Sequence, residues 1–353
     1  MKWEENVRKV VPYVAGEQPN RPNMIKLNTN ECPYPPAPGV RKAAENMESA
    51  ALRLYPNSNA QPLVDELAAY YGVKPEQVFV GVGSDDVLSM AFLTFFNSGK
   101  PILFPDVTYS FYDVWADLYR IPYHTCALDE NWHMNPEDYK QHNGGVIFPN
   151  PNAPTGVEES QELIEEILQA NPDVVVIVDE AYVDFGGTSA LPLLKKYENL
   201  LVVQTFSKSR AMAGMRIGYA FGNPELIKYL NDVKYSFNSY TMNLPSQVMG
   251  VEAVRDDAYF KATTAKIVAT RERIKKELNE LGFTFPDSKA NFIFASHKEV
   301  PAEELFRALR EADIYVRHWN KPRIANSLRI TVGTDEEMDR LIAFLKNYLE
   351  KRA

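Results

Sequence analysis

Apolar positions along this chain fall into two alternating textures. Short unbroken apolar runs in QVFVGVGS, PILFPD (Pro101–Asp106), GGVIFPNPNAPTG, DVVVIVDEAYVDF and LLVVQT (Leu200–Thr205) read as strands. The run in DVVVIVD is of the kind buried on both faces of a sheet. Between the strands, PLVDELAAYYGV carries apolar residues at helical spacing, with Pro62 near its start and Gly72 as its stop. In DDVLSMAFLTFF, residues Val87, Leu88, Ala91, Phe92 and Phe95 fall on one helical face. Repeated strand–helix alternation predicts an α/β architecture, a mostly parallel sheet with helices on both faces. After residue 245 the texture changes. RERIKKELNELGF, AEELFRALREADI and DEEMDRLIAFLKNYLEKR are amphipathic helices around the strands ANFIFAS and SLRITVG, a smaller α+β unit. The first forty residues hold seven prolines, Pro12 to Pro38, and suit an extended arm. The expected organisation is an arm over 1–39 joining the small domain, a large domain over 40–245 and a small C-terminal domain over 246–353.

Composition narrows the function classes. With 45% hydrophobic and 24% charged residues the chain is an ordinary soluble globular protein, and its 353 residues can bury a large core. A formal charge of -9 argues against a nucleic-acid groove as the main work of the surface. Cys32 and Cys126 are too far apart in sequence to suggest a metal motif or a disulfide framework, which fits a reducing cytoplasm. His124, His133, His142, His297 and His318 show no ligand spacing, so no metal is expected. The N-terminus lacks the apolar core of a signal peptide, and no stretch approaches the ~18 apolar residues of a membrane span.

In open α/β sheets, ligands sit at the carboxyl ends of the strands. Gly83-Ser84-Asp85, Tyr109, Asn152, Asp179, Tyr182 and Lys208 all follow a predicted strand end. A partly desolvated lysine there can form a Schiff base with an aldehyde. Asp179, closing an apolar run, needs a cationic partner, and a protonated pyridine nitrogen would serve. Tyr182 and Asn152 could each donate to a phenolate oxygen on the same ring. The Gly-Ser-Asp turn opens a helix and offers backbone N–H groups to an anion, with Ser207 and the planar fork of Arg216 as further phosphate donors. Tyr109 supplies a flat stacking face. Aldehyde, pyridine nitrogen, phenolate and phosphate together describe pyridoxal 5'-phosphate. A dinucleotide reading of GVGSDD is weak, because Asp86 stands where the third glycine should be.

The segments KLNTNECPYPP, RLYPNSNAQPLVDELAAYYGV, VGVGSDDVL, FPNPNAPTG, VDEAYVDF, TFSKSRAMAGMRIGY and LRITVGTDEE, in this order, resemble the fold-type-I pyridoxal phosphate aminotransferases. Within that group the chain is similar to the histidinol-phosphate aminotransferases. The resemblance implies amino transfer between L-histidinol phosphate and 2-oxoglutarate. It implies Lys208 as Schiff-base lysine and proton shuttle, Asp179 and Tyr182 as ring partners, and Ser84, Asp85, Ser207 and Arg216 as the phosphate cradle. Tyr55 would reach the neighbouring subunit's cofactor in a homodimer, with the arm adding dimer contacts. Arg329 would fork onto the substrate carboxylate, with Tyr13 and Arg317 at a second anion site and Lys321 and Arg323 as extra cations nearby. One departure stands out: many relatives carry Asn immediately before Pro-Thr-Gly, whereas this chain has Ala153 preceded by Asn152. The rival readings are an aromatic amino acid aminotransferase, a decarboxylase of the threonine-phosphate type, and a non-enzymatic protein that binds the cofactor.

Overall fold

The computed structural model of the protein describes residues 2–352. Its centre is a seven-stranded sheet in the order Val78–Gly81, Gly218–Gly222, Leu200–Thr205, Val176–Asp179, Val146–Pro149, Ile102–Pro105, Tyr123–Cys126. Only Gly218–Gly222 runs against its neighbours. The other adjacent pairs are parallel. Successive side chains alternate between faces, as a pleated strand requires. Val78, Val80, Val146, Phe148, Val176, Val178, Leu200 and Val202 enter one core, with Leu63 and Leu67 of the helix Gln61–Tyr71 and Ile164 and Ile167 of Gln161–Ala170. Phe79, Ile147, Ile177, Leu201 and Val203 enter the other, against Val87, Leu88, Ala91 and Phe92 of the helix Ser84–Phe95. Burial on both faces is why these strands read as unbroken apolar runs. Each fully buried aliphatic or aromatic side chain contributes about 1.5–3 kcal/mol toward holding the sheet.

Two strands escape the apolar pattern. Tyr123–Cys126 lies at the sheet edge with His124 and Thr125 exposed, so it shows no apolar run. In Gly218–Gly222 the terminal glycines dilute the signal.

A second, four-stranded antiparallel sheet has the order Arg317–His318, Leu328–Thr331, Phe292–His297, Phe283–Thr284. The helices Asp257–Glu280, Ala302–Glu311 and Asp335–Arg352 pack on it through Ile274, Leu278, Leu305, Leu309, Met338 and Leu341. The N-terminal segment joins this core. Ile25–Lys26 pairs in parallel with Ile314–Tyr315, and Ile25 and Leu27 are buried there. Past Leu27 the chain crosses to the carboxyl edge of the large sheet. The helix Leu244–Arg255 packs its Val251, Ala253 and Val254 into the core that holds Leu63. Among the described residues, no helix is long and apolar enough to cross a membrane.

Candidate active site

Parallel register brings strand ends together. Pro149 pairs with Asp179 and Asp179 with Val203, so Asp179 stands at the sheet edge two residues from where Leu200–Thr205 ends. A cavity of about 100 Å³ at this edge is lined by Ser84, Asp85, Tyr109, Asp179, Tyr182, Ser207, Lys208 and Arg216. A second cavity of about 200 Å³ shares Tyr109, Tyr182, Lys208 and Ala153 with the first, and adds Tyr13, Arg317, Lys321 and Arg329. These residues come from distant stretches of sequence and meet in two adjoining hollows.

In the inner cavity the charges are met. Asp179 is buried and accepts from the Tyr112 hydroxyl at 3.0 Å and the Ala181 N–H at 3.2 Å. Burial pushes its carboxyl up to about 7, against the pull of those two hydrogen bonds. Burial, then the neighbouring carboxylate, holds the phenols of Tyr112 and Tyr109 well above their ordinary range. Asp85 accepts from Tyr109 at 2.7 Å and pairs with Arg216 at 3.2 Å. Arg216 also donates to Ser207 Oγ at 3.3 Å. The side chains of Arg216 and Asp85 are 42% and 41% exposed, so this ion pair adds little stability and is open to an incoming anion.

The backbone beneath is built for close approach. Gly83 has φ +87°, and a Cβ there would stand 2.3 Å from Arg216 Nη2. A Cβ on Gly218 would meet the carbonyl carbon of Gly83 at 2.2 Å. Only glycine at both places lets the strand and the loop touch. The helix Ser84–Phe95 begins at this point, and its first N–H groups have no intrahelical acceptor. Together with Arg216 and Ser207 they form a cradle suited to a phosphate.

The two residues after Lys208 are anchored. Ser209 donates to the half-buried carboxylate of Asp184, and Arg210 donates to the Ala253 carbonyl at 2.7 Å while covering the Phe260 ring at 4.2 Å. Lys208 Nζ donates to the Thr29 carbonyl at 3.1 Å and lies 5.7 Å from the centre of the Tyr182 ring. The Tyr182 hydroxyl accepts from Asn30 Nδ2 at 2.9 Å.

The outer cavity is cationic and aromatic. Arg329 donates to the Asn28 carbonyl at 3.0 Å, while its Nε is enclosed without a partner. Burial lowers its pKa, and the positive charge of Arg317 adds to that. The guanidinium carbons of Arg317 and Arg329 each lie 5.1 Å from the Trp319 ring centre. Tyr13 stacks on Phe111 with ring centres 4.1 Å apart.

Three sequence candidates stand elsewhere. Asn152 lines neither cavity: its Nδ2 donates to the Val107 carbonyl at 3.0 Å and to Thr155 Oγ1 at 2.9 Å, closing its own loop, while Ala153 faces the hollows. Tyr55 is 84% exposed and packs on Tyr240, away from both cavities. Arg323 is engaged by Asp106 and by the Leu128 carbonyl at 2.7 Å. Conversely, Tyr112, Thr29, Asn30 and Trp319 were absent from the sequence reading. Thr29 and Asn30 lie in the segment KLNTNECPYPP, which assigns them no role, and Tyr112 lies in the aromatic-rich YSFYDVW.

The class I and II aminotransferase family profile matches residues 22–345. The histidinol-phosphate aminotransferase of Lactococcus lactis subsp. cremoris (strain MG1363) is 53% identical over 352 residues, covering 100% of this chain and 99% of that protein. The enzyme of the same name from Clostridium botulinum (strain Langeland) is 48% identical over 349 residues, 99% of each chain. Among solved structures, the Sinorhizobium meliloti histidinol-phosphate aminotransferase, in complex with pyridoxal-5'-phosphate, superposes with a TM-score of 0.84 at 23% identity, over 94% of this chain and 92% of that one. The fold is thus that of the fold-type-I pyridoxal phosphate transferases. The chain belongs to the class I and II aminotransferase family.

Proposed function

We propose that the inner cavity holds pyridoxal 5'-phosphate and that the protein transfers the amino group of L-histidinol phosphate to 2-oxoglutarate, in histidine biosynthesis. The residues fit the group. Arg216, Ser207 and the open amides at Ser84 and Asp85 would hold the phosphate, and Tyr109 would face the ring. Asp179, buried with a carboxyl near 7, would keep a proton on the ring nitrogen. When bound, the cofactor supplies an electron sink for the carbon that loses its proton. Lys208 Nζ would carry the cofactor and then move the proton at the amine-bearing carbon of the donor. Tyr182 would donate its hydroxyl proton to the ring's phenolate oxygen.

The observation that carries the substrate reading is the cross-strand pair Arg317 and Arg329, each 5.1 Å from the Trp319 ring centre, in a hollow that opens onto Lys208. L-histidinol phosphate brings a phosphate and 2-oxoglutarate brings two carboxylates, so both need guanidinium groups there. The names of relatives about half identical in sequence support the same choice. The reading extends to a cytoplasmic homodimer, in which exposed Tyr55 reaches the neighbouring site. It keeps the division into arm, large domain and small domain, with the expected boundary at 245/246 moved past the helix Leu244–Arg255, whose Val251, Ala253 and Val254 lie in the large core.

The test is a stopped-flow half-reaction that follows loss of the cofactor's visible colour. L-Histidinol phosphate should discharge it much faster than phenylalanine, and 2-oxoglutarate should restore it. A faster reaction with phenylalanine points to the aromatic aminotransferase instead. Carbon dioxide release from a phosphorylated amino acid, with no oxo acid consumed, points to the decarboxylase. Borohydride trapping and peptide mapping should place the label on Lys208.

A further inference from the structure

Three consecutive residues of the N-terminal segment each hold one group of the candidate site. The Asn28 carbonyl accepts from Arg329, the Thr29 carbonyl accepts from Lys208, and Asn30 donates to the Tyr182 hydroxyl. Asn30 is the most constrained of the three. It is 1% exposed and sits at φ +56°, a conformation that asparagine and aspartate tolerate better than other residues with a Cβ.

The orientation of the Asn30 amide follows from its partners. Its backbone N–H donates to Thr331 Oγ1 at 3.0 Å, and the Thr331 hydroxyl donates back to Asn30 Oδ1 at 3.0 Å. The Asn30 carbonyl in turn accepts from Asn291 Nδ2 at 3.0 Å. With Oδ1 taken by Thr331, the Nδ2 end faces Tyr182, so the phenol oxygen is an acceptor in that bond. Its proton is then unspent on the protein. Tyr182 is buried, and its ring is held edge-on by Phe292 at 5.0 Å, so the phenol oxygen keeps its place beside Asn30.

We propose that Asn30 is a positioning residue that fixes the polarity of the Tyr182 hydroxyl, so that it donates into the inner cavity and does so more strongly. A hydroxyl that accepts one hydrogen bond is a better donor in the next. The device matters more in this chain because Ala153 faces the cavity and carries no hydrogen-bonding group, while the Asn152 amide is engaged in its own loop. Tyr182 is left as the neutral side-chain donor on that side.

The inference rests on reading the inner cavity as a pyridoxal phosphate site, and the test separates the two. Loaded wild-type protein, Asn30→Asp, Tyr182→Phe and the double variant are titrated with base while the bound cofactor's absorbance band is followed. Aspartate keeps the left-handed backbone and the acceptor for Thr331, but replaces the donor toward Tyr182 with an acceptor. The surrounding groups Asp85, Tyr109, Asp179, Lys208, Arg216 and Arg329 are the same in every variant. Asn30→Asp should move the titration midpoint upward by about one pH unit. In the Tyr182→Phe background the same substitution should move it by much less, because the hydroxyl through which Asn30 acts is gone.

Equilibrium dialysis should show weaker cofactor retention in Asn30→Asp, again only while Tyr182 is present. If Asn30 served only to pin the segment, Asn30→Asp would titrate like wild type. If the new charge acted directly, the shift would persist in full without Tyr182. Either result overturns the proposal while leaving the cofactor reading intact. A wild-type protein with no cofactor band, or with the borohydride label away from Lys208, overturns both.

Discussion

The two adjoining cavities are held together in different ways. In the inner one, Asp179 and Asp85 each have two polar partners and Arg216 has three, drawn from the edge of the large sheet and the segments that follow its strands. In the outer one, Arg329 has one carbonyl, an enclosed Nε without a partner, and the faces of Phe292 and Trp319. The first is a finished socket whose charges are set by sheet register. The second gathers cations from the small sheet, beside Tyr13 of the N-terminal segment and Trp319 just past the strand Arg317–His318, and leaves donor capacity unspent. A site that keeps one cofactor needs the former. A site that must take two unlike anions in turn gains from the latter, since π faces hold a guanidinium without consuming its N–H groups.

Lysine removal should break the inner cavity's function most completely. Lys208→Ala should lower turnover by at least about 10⁴-fold, since in the proposed function this side chain is both the covalent anchor and the proton carrier. Equilibrium dialysis should still find cofactor bound, through Arg216, Ser207 and Asp179. Retained turnover would reject Lys208 as the centre of the chemistry. Asp179→Asn should bind cofactor too, but with turnover reduced by roughly 10²–10³-fold, because an amide cannot hold the ring nitrogen protonated. The check is steady-state kinetics on fully loaded protein.

The outer cavity should respond differently. Arg329→Met should lower kcat/KM for both L-histidinol phosphate and 2-oxoglutarate by roughly 10–100-fold, the worth of a charge-assisted hydrogen bond. Cofactor affinity should be unchanged. Arg317→Met should give a smaller loss on the same assay. Weakened cofactor retention in either variant would mean that the two cavities are not separable in the way their partners suggest.

This division also marks what the chain discloses before folding. The inner residues Ser84, Tyr109, Asp179, Tyr182 and Lys208 each follow a local strand-end signal, and Ser207 and Arg216 share a contiguous motif with Lys208, so local motifs pointed to the cavity that they line. Tyr112 was hidden because its role depends on which strand lies beneath its helix. Thr29 and Asn30 were hidden for a stronger reason: they meet Lys208 and Tyr182 across 179 and 152 residues of chain, and no local periodicity encodes such a contact. Asn152 misled because its residue type suits the pocket, whereas its loop uses the amide to close itself on Val107 and Thr155. The sheet followed the same logic. Strands buried on both faces were legible; the exposed edge Tyr123–Cys126 and the glycine-bounded Gly218–Gly222 were not.

The smallest expected effect concerns stability, and it separates the socket from its contents. In the cofactor-free protein, burial raises the Asp179 carboxyl from 3.8 to about 7. Below about pH 4 the group is protonated whether the chain is folded or not, and it carries no penalty. Between about 4 and 7 the folded state retains a proton that the unfolded state has released, so stability falls as pH rises. Above 7 the destabilisation is complete. Asp179→Asn removes the ionisable group while leaving an oxygen to accept from Tyr112. Glu180, whose carboxyl burial also raises to about 7, is common to both proteins and cancels in the comparison. Cofactor-free Asp179→Asn should therefore be more stable than wild type at pH 8, by on the order of 1–3 kcal/mol in urea unfolding, with the gap narrowing toward pH 5. With cofactor bound the order should invert, because a protonated ring nitrogen turns the buried carboxylate from a liability into one half of an ion pair, and the amide cannot replace it.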